Sequence, residues 1–181
     1  MCLLYVPGMR MPGNIFLIGP MGSGKSTIGR QLATALKKSF FDSDHEIEAK
    51  TGVKIPVIFE MEGESGFRAR EQQMIATLSA QQNIVLATGG GVILHENNRK
   101  NLRKFGCVIY LRCSVERQLE RTLHDKNRPL LQTENPREKL LSLIEVRAPL
   151  YEMTADFIID TGKYSVKQVV NMVIKMIKEH Q

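Results

Sequence analysis

The run Gly19-Pro20-Met21-Gly22-Ser23-Gly24-Lys25-Ser26-Thr27 matches the pattern G-x-x-x-x-G-K-[ST]. The apolar stretch Ile15-Phe16-Leu17-Ile18 before it is typical of a short buried strand, and apolar residues recur at helical spacing after it. Glycines lack a Cβ atom, so the backbone N–H groups can curl around an anion, and the following helix presents its positive N-terminal end to the same place. We therefore predict a phosphate-binding loop. The alternative is a glycine-rich turn that contains a lysine by chance.

Two side chains of this run have expected roles in binding a nucleotide. Lys25 would supply a positive charge to the β- and γ-phosphates, and the hydroxyl of Ser26 is placed to ligate Mg²⁺. The pattern by itself leaves the nucleotide open.

Apolar and helical stretches alternate along the rest of the chain. Strands are expected near 14–18, 40–41, 83–88, 107–112 and 157–159, and helices near 25–38, 44–82, 95–105, 114–124, 136–153 and from 165 onward. This alternation predicts a three-layer α/β/α fold in which helices cover both faces of a parallel sheet of about five strands. Ligands of such sheets bind at the carboxyl ends of the strands, and the conspicuous residues of this chain follow strand ends.

Length and composition favour one cytoplasmic domain over residues 1–181, with residues 1–13 as a candidate for disorder. No apolar run is long enough to span a bilayer, and the N-terminus lacks the pattern of a signal peptide. The net charge is +6, but the 25 basic residues are spread without a basic tail. We therefore expect a small anionic substrate, no nucleic acid, no membrane and a monomer. The three cysteines show no metal-binding spacing.

Two carboxylates, Asp42 and Asp44, follow the second expected strand. In extended backbone both would point to the same side, so that one could hold Mg²⁺ while the other orients a hydroxyl group. The alternative is that an aspartate here caps the helix that begins near Glu46.

Four further segments carry candidate residues that are individually weak. Gly66-Phe67-Arg68-Ala69-Arg70-Glu71 would by itself be a solvated helix face, and Gly89-Gly90-Gly91 would suit either close approach of a ligand or a tight turn. Arg128-Pro129-Leu130-Leu131 lies in a polar stretch, and Arg147-Ala148-Pro149-Leu150-Tyr151 lies in an expected helix.

Together, in this order and spacing, these residues resemble the shikimate kinase family, small P-loop kinases with the nucleoside monophosphate kinase fold. The resemblance covers nearly the whole chain from Asn14 onward. Besides the segments above it includes Glu46-Ile47-Glu48, Thr51-Gly52, Ile58-Phe59, Gly63-Glu64 and Thr88. The resemblance implies phosphorylation of the 3-hydroxyl of shikimate by ATP, with Mg²⁺, on the route to chorismate and the aromatic amino acids.

The resemblance also implies a role for each matching residue. Asp44 would contact the shikimate hydroxyls, and Arg68 and Arg147 would hold the carboxylate. The same pocket would be lined by Gly90 and Gly91 and walled by Phe59 and Phe67. ATP would be bound by Gly22, Ser23, Gly24, Lys25, Ser26 and Thr27, with Arg121 against adenine and Asp42 assisting Mg²⁺ through water beside Ser26. Catalysis would fall to Lys25, Asp44 and Arg128, the last on a mobile lid at about 122–134.

Two departures from the family pattern and two rival functions stay open at this point. Pro56 lies where the family is usually helical, and the loop Asp160–Ser165 lacks a proline that often follows an Asp-Thr pair at the adenine. A related kinase for gluconate or a nucleoside monophosphate would keep the loop and lid but lack the full acceptor set. A non-catalytic regulatory module would be expected to lose Lys25, Asp44 or Arg128.

Overall fold

A computed structural model describes residues 13–122 and 129–179 of the chain. The strands are β1 (Asn14–Ile18), β2 (Ser39–Asp42), β3 (Ile84–Ala87), β4 (Gly106–Arg112) and β5 (Phe157–Asp160). The helices are α1 (Lys25–Leu36), α2 (Ser43–Thr51), α3 (Ile55–Ser79), α4 (Glu96–Phe105), α5 (Val115–Thr122), α6 (Pro136–Thr154) and α7 (Val166–Glu179). Two short 3₁₀ helices lie at Val92–Leu94 and Pro129–Leu131.

The five strands form one parallel sheet in the order β2-β3-β1-β4-β5. The middle strand β1 pairs with β3 on one side and β4 on the other, in a register that places Phe16 beside Leu86 and Val108. All five residues of β1 are buried, as expected of a central strand covered on both faces. The predicted parallel sheet is confirmed.

Alternate residues of β1 point to opposite faces of the sheet and enter separate cores. Ile15 and Leu17 pack with residues of α1 and α7, whereas Phe16 and Ile18 pack with residues of α2, α3, α4 and α6. The sheet is therefore the middle of three layers, and the predicted α/β/α class is confirmed.

The stretch expected to be helical from 44 to 82 is divided into α2 and α3. Gly52 ends α2 in the left-handed conformation, with φ 73°. Pro56 lies in the first turn of α3, where proline costs no helical hydrogen bond, so the departure at this position is accommodated at a helix start. Gly63 has φ 70° and ψ −177° and breaks α3 into two segments. The second segment carries Arg68 toward the carboxyl ends of the strands.

Some expectations fall partly outside the described residues. The candidate disorder over 1–13 does so except at Gly13, and so do residues 123–128 of the expected lid, including Arg128. Within 13–122 and 129–179, no helix combines the length and the apolar character that a membrane crossing requires.

Asn14 ties three elements together at the amino end of the sheet. Its Nδ2 donates to the carbonyls of Gln81 (2.6 Å) and Phe105 (3.1 Å), and its Oδ1 accepts from the N–H of Ile84 (3.1 Å). Asn14 is only 5% exposed. Without its side chain, these backbone groups would be left buried and without a hydrogen-bond partner.

We expect Asn14→Ala to lower the free energy of unfolding by about 2–3 kcal/mol, because it leaves buried backbone groups unsatisfied. Chemical denaturation measures the loss. The matched control is Asn97→Ala, at an exposed position of α4, which should change stability by less than about 0.5 kcal/mol. Equal midpoints for the two variants would contradict the structural role of Asn14.

Candidate active site

The loop between β1 and α1 surrounds the ammonium group of Lys25. Gly24 precedes α1 with φ 91°, a conformation that glycine adopts readily, and no side chain caps the helix. The N–H groups of the first helical turn therefore have no side-chain cap and are open to an anion. Lys25 is nearly buried, and its Nζ donates to the carbonyls of Gly19 (2.8 Å) and Pro20 (2.7 Å). The carbonyls of the loop thus hold a positive charge in place.

A cavity opens directly above this loop. It is lined by Met21, Gly22, Gly24, Lys25, Ser26, Thr27, Asp42, Asp44, Thr88, Gly90 and Arg121. Of the predicted phosphate-binding residues, only Ser23 is absent from this lining. Its side chain is fully buried, and its Oγ lies 3.4 Å from Lys25 Nζ. We call this space the nucleotide cavity.

Asp42 joins the loop to the start of α2. Its Oδ2 accepts a hydrogen bond from Ser26 Oγ at 2.5 Å, and its Oδ1 accepts from the N–H of Asp44 at 3.2 Å. Asp42 is therefore the N-cap of α2, which was the structural alternative at this position. The expectation that both aspartates lie in extended backbone is wrong, because the strand ends at Asp42 and Asp44 belongs to the helix.

A second cavity lies beside the first, and we call it the acceptor pocket. It is lined by Met21, Asp44, Ile55, Phe59, Phe67, Arg68, Glu71, Gly89, Gly90, Gly91, Leu130 and Arg147. Every residue predicted from the resemblance to line an acceptor site is in this set. The rings of Phe59 and Phe67 lie 4.9 Å apart between centroids and form an apolar wall.

Two arginines bring positive charge to the acceptor pocket in different environments. Arg68 forms ion pairs with Glu64 (2.9 Å) and Glu71 (2.8 Å). Burial acts to lower the pKa of Arg68, but the two carboxylates outweigh it and raise that pKa. Arg147 is 5% exposed, and no carboxylate of the described residues forms an ion pair with it. Burial, and secondarily the charge of Arg68, lower the pKa of Arg147.

Glu71 is a pocket residue to which the sequence reasoning gave no role. It is 1% exposed, and burial raises the pKa of its carboxyl even though Arg68 and Arg147 act to lower it. Its Oε2 pairs with Arg68, whereas its Oε1 has no hydrogen-bond partner among residues 13–122 and 129–179. The spacing of three residues from Arg68 was the available signal, since such residues share a helix face.

The glycine run after β3 lets these charged groups approach the backbone. A Cβ atom on Gly89 would lie 2.6 Å from Asp44 Oδ1 and 2.8 Å from Glu71 Oε1, and one on Gly91 would overlap the guanidinium of Arg68. Any larger residue would displace the carboxylates or the arginine. Both interpretations of the Gly89-Gly90-Gly91 run are therefore compatible with the structure. The turn is tight, and it also borders the acceptor pocket.

The nucleotide cavity and the acceptor pocket meet at shared residues. Met21, Asp44 and Gly90 line both. A group bound above Lys25 and a group bound beside Arg147 would therefore face each other across Asp44. This arrangement suits transfer of a phosphoryl group between two ligands.

Arg121 is also part of the lining of the nucleotide cavity. Its Nη1 donates to the carbonyl of Gly22 at 2.8 Å. Together with Thr161 and Tyr164 it also lines a further cavity beside the phosphate-binding loop. The loop at Asp160–Ser165 therefore borders this space although it lacks the expected proline. Arg128 lies outside the described residues, and Leu130 reaches the acceptor pocket from the segment that follows it.

Comparison with known proteins agrees with this geometry. A family model described as shikimate kinase matches residues 21–178. A shikimate kinase of Methylococcus capsulatus is 58% identical over 166 residues, which cover 92% of this chain and 93% of that protein. A solved shikimate kinase from Acinetobacter baumannii in complex with shikimate superposes with a TM-score of 0.91 at 49% identity, covering 94% of this chain and 95% of that one. The shikimate kinase from Aquifex aeolicus superposes with a TM-score of 0.80 at 33% identity, covering 91% and 96%.

Proposed function

The chain belongs to the shikimate kinase family, and from this premise we propose how its residues carry out the reaction. The reaction is ATP-dependent phosphorylation of the 3-hydroxyl of shikimate, which gives shikimate 3-phosphate and ADP on the route to chorismate and the aromatic amino acids. The observation that carries the assignment of residues is the buried Arg147. It stands with Arg68 in a pocket that adjoins a phosphate-binding loop.

The acceptor pocket is proposed to bind shikimate through its charge and its shape. Arg68 and Arg147 hold the carboxylate, because two guanidinium forks match a carboxylate well. Gly90 and Gly91 let the ring approach the backbone, and Phe59 and Phe67 wall the ring on its apolar side.

ATP is proposed to occupy the nucleotide cavity. Its phosphates contact the backbone of Gly22, Ser23 and Gly24 and the first turn of α1 at Lys25, Ser26 and Thr27. Arg121 stacks against adenine, a role supported by its position between the phosphate-binding loop and the further cavity beside Thr161.

The transfer step needs alignment of the acceptor and neutralisation of the moving charge. Asp44 aligns the 3-hydroxyl and accepts its proton, since Asp44 borders both cavities. Lys25 supplies positive charge from the loop. Arg128 is proposed to supply more from a lid at about 122–134 that excludes competing water. Arg128 and residues 123–127 lie outside the described ranges, so this part of the proposal rests on the resemblance alone.

Mg²⁺ is the proposed cofactor, and the residues present fit it. A hydroxyl and a carboxylate, at Ser26 and Asp42, stand 2.5 Å apart on the wall of the nucleotide cavity, and Mg²⁺ prefers such oxygen donors. Ser26 would ligate the ion directly and Asp42 through water. When bound, the ion neutralises charge on the β- and γ-phosphates.

We also propose that the chain is one domain that acts as a monomer in the cytoplasm, without nucleic acid or membrane. The described site residues surround the carboxyl ends of one sheet. The equilibrium mass in solution tests the monomer.

The experiment that tests the function is ATP-dependent release of ADP with shikimate, gluconate and nucleoside monophosphates offered separately. The phosphorylated product is detected directly. Strong activity with shikimate alone is the expected result. Turnover of another acceptor would overturn the pocket assignment, and ATP binding without any turnover would favour a regulatory module.

The proposed metal role of Asp42 predicts the behaviour of Asp42→Asn. Asparagine is as good an N-cap as aspartate, so α2 should keep its start while the carboxylate charge is lost. We expect the Mg²⁺ concentration for half-maximal activity to rise about tenfold or more. The control is Glu46→Gln in the same helical turn, which lies outside the lining of the cavity. An unchanged Mg²⁺ dependence in Asp42→Asn would remove Asp42 from the metal site.

A further inference from the structure

Tyr151 is a buried polar side chain whose hydroxyl contacts a residue that lines the acceptor pocket. It lies on α6, is 0% exposed, and donates a hydrogen bond to the carbonyl of Gly90 at 2.5 Å. A buried phenol needs a hydrogen-bond partner, and the partner here is the backbone carbonyl of a residue that lines both cavities. The resemblance gave Tyr151 no role.

Because of the position of Gly90, this hydrogen bond affects the wall of the acceptor pocket. A Cβ atom on Gly90 would lie 3.5 Å from the N–H nitrogen of Met21 and 3.6 Å from the Tyr151 oxygen, so Gly90 lies between the phosphate-binding loop and the phenol. The peptide bond that follows is trans and planar, so the direction of the Gly90 carbonyl fixes the direction of the Gly91 N–H. Tyr151 thereby orients a peptide unit on the wall of the acceptor pocket.

The same hydroxyl also faces Arg147. The two residues are four apart on α6 and so lie on one face of the helix. The nearby guanidinium acts to lower the pKa of the Tyr151 phenol, but burial outweighs it and raises that pKa above its ordinary value. The hydroxyl oxygen of Tyr151 therefore lies between the guanidinium of Arg147 and the glycine turn at Gly90.

The ring of Tyr151 is fixed from the side of the sheet. It stacks on Tyr110 of β4 with 4.8 Å between centroids and an interplanar angle of 22°. Tyr110 is 1% exposed, and its surroundings include the charges of Glu152, Arg112 and Asp160. The phenol of Tyr151 is thus anchored in the core and projects a single polar atom toward the site.

We propose that Tyr151 is a positioning residue for the acceptor, whose hydroxyl links Arg147 to Gly90 and so sets the guanidinium and the glycine turn at the spacing that a carboxylate-bearing acceptor requires. The inference rests on the proposed role of Arg147. Tyr151 itself contacts neither the nucleotide nor the reacting atoms in this assignment. Its loss should therefore weaken acceptor binding without a matching loss of nucleotide binding or of turnover at saturation.

The test is Tyr151→Phe, which keeps the stacked ring and removes one oxygen. Shikimate and ATP dissociation constants and steady-state kinetics are measured well below the melting temperature of each variant. We expect the dissociation constant and KM of shikimate to rise about tenfold, with kcat and the ATP dissociation constant changing less than about threefold. The control is Tyr110→Phe, the stacking partner outside both cavities, which should leave shikimate affinity within about twofold.

Three results would overturn the proposal. They are a shikimate affinity unchanged in Tyr151→Phe, equal weakening of shikimate and ATP, and an equal effect of Tyr110→Phe. A double-mutant cycle with Arg147→Ala adds a readout that a merely structural role would not move. The combined loss should be smaller than the product of the two single losses, because both variants break the same link.

The cycle also separates this inference from the proposed function. If the wild-type protein does not bind shikimate, or Arg147→Ala binds it normally, the proposed function of the pocket fails and this inference fails with it. If Arg147→Ala weakens binding and Tyr151→Phe does not, or if the two losses simply multiply, only the role of Tyr151 is overturned.

Discussion

Lys25→Met is expected to lower kcat by at least ~10³-fold, because it removes the cation that we propose acts on the transferring phosphoryl group. The ammonium of Lys25 is held by hydrogen bonds to the carbonyls of Gly19 and Pro20. Little reorganisation is therefore needed when charge develops. Methionine keeps the apolar stem, so the helix and its packing should persist.

The measurement is single-turnover kinetics at saturating ATP and shikimate, with the ATP dissociation constant determined separately. The control is Lys175→Met, since Lys175 is an exposed lysine of α7 whose side chain is 77% accessible and pairs with Glu179 at 3.7 Å. It should leave kcat unchanged. Turnover of Lys25→Met within tenfold of the wild type would refute the catalytic assignment.

The sequence could predict the fold well because the two patterns that indicate it, the glycine-rich loop and the short apolar runs, are local. The glycine-rich loop needs only its own residues and the elements that flank it, and each of the five strands contains a short apolar run. The order of the strands in the sheet was not predicted, because it depends on which side of β1 each later strand adds to. That choice is made by helix packing over both faces.

The site was predictable as a set of residues but not as a set of contacts. Asp42 lies beside Ser26 with the extended backbone that was predicted, whereas the same prediction for Asp44 was wrong, because a single residue decides where the strand ends and the helix begins. Local charge pattern also could not separate Glu71, which is buried beneath Arg68, from Arg70, which pairs with Glu62 at the surface. Which of these residues faces a pocket is decided by tertiary packing.

Arg147→Ala is expected to raise the dissociation constant of shikimate by about 10²-fold or more and to change that of ATP by less than about threefold. Arg68 already shares its charge with Glu64 and Glu71, whereas Arg147 forms no ion pair with a carboxylate of the described chain. The carboxylate of the acceptor is then the natural partner of Arg147. Calorimetric titration of each ligand measures both constants.

The stability of the ligand-free protein supplies a second readout for the same variant. A buried guanidinium without an ion-paired carboxylate is unfavourable until an anion binds, and burial accordingly lowers the pKa of Arg147. Its removal should cost less stability than Arg68→Ala, which would leave the buried Glu71 without its ion-pair partner. We therefore expect Arg147→Ala to fold normally and to lose most of the rise in melting temperature that shikimate gives the wild type.

Arg70→Ala is the matched control, because Arg70 is an exposed arginine near the pocket that pairs with Glu62 at the surface. It should retain both ligand affinities and the shikimate-induced rise in melting temperature. Equal weakening of shikimate and ATP in Arg147→Ala would show that Arg147 supports the whole site and does not select the carboxylate. A large drop in ligand-free stability would show that a carboxylate of the protein already compensates the guanidinium, and the charge argument for an anionic acceptor would then lose its basis.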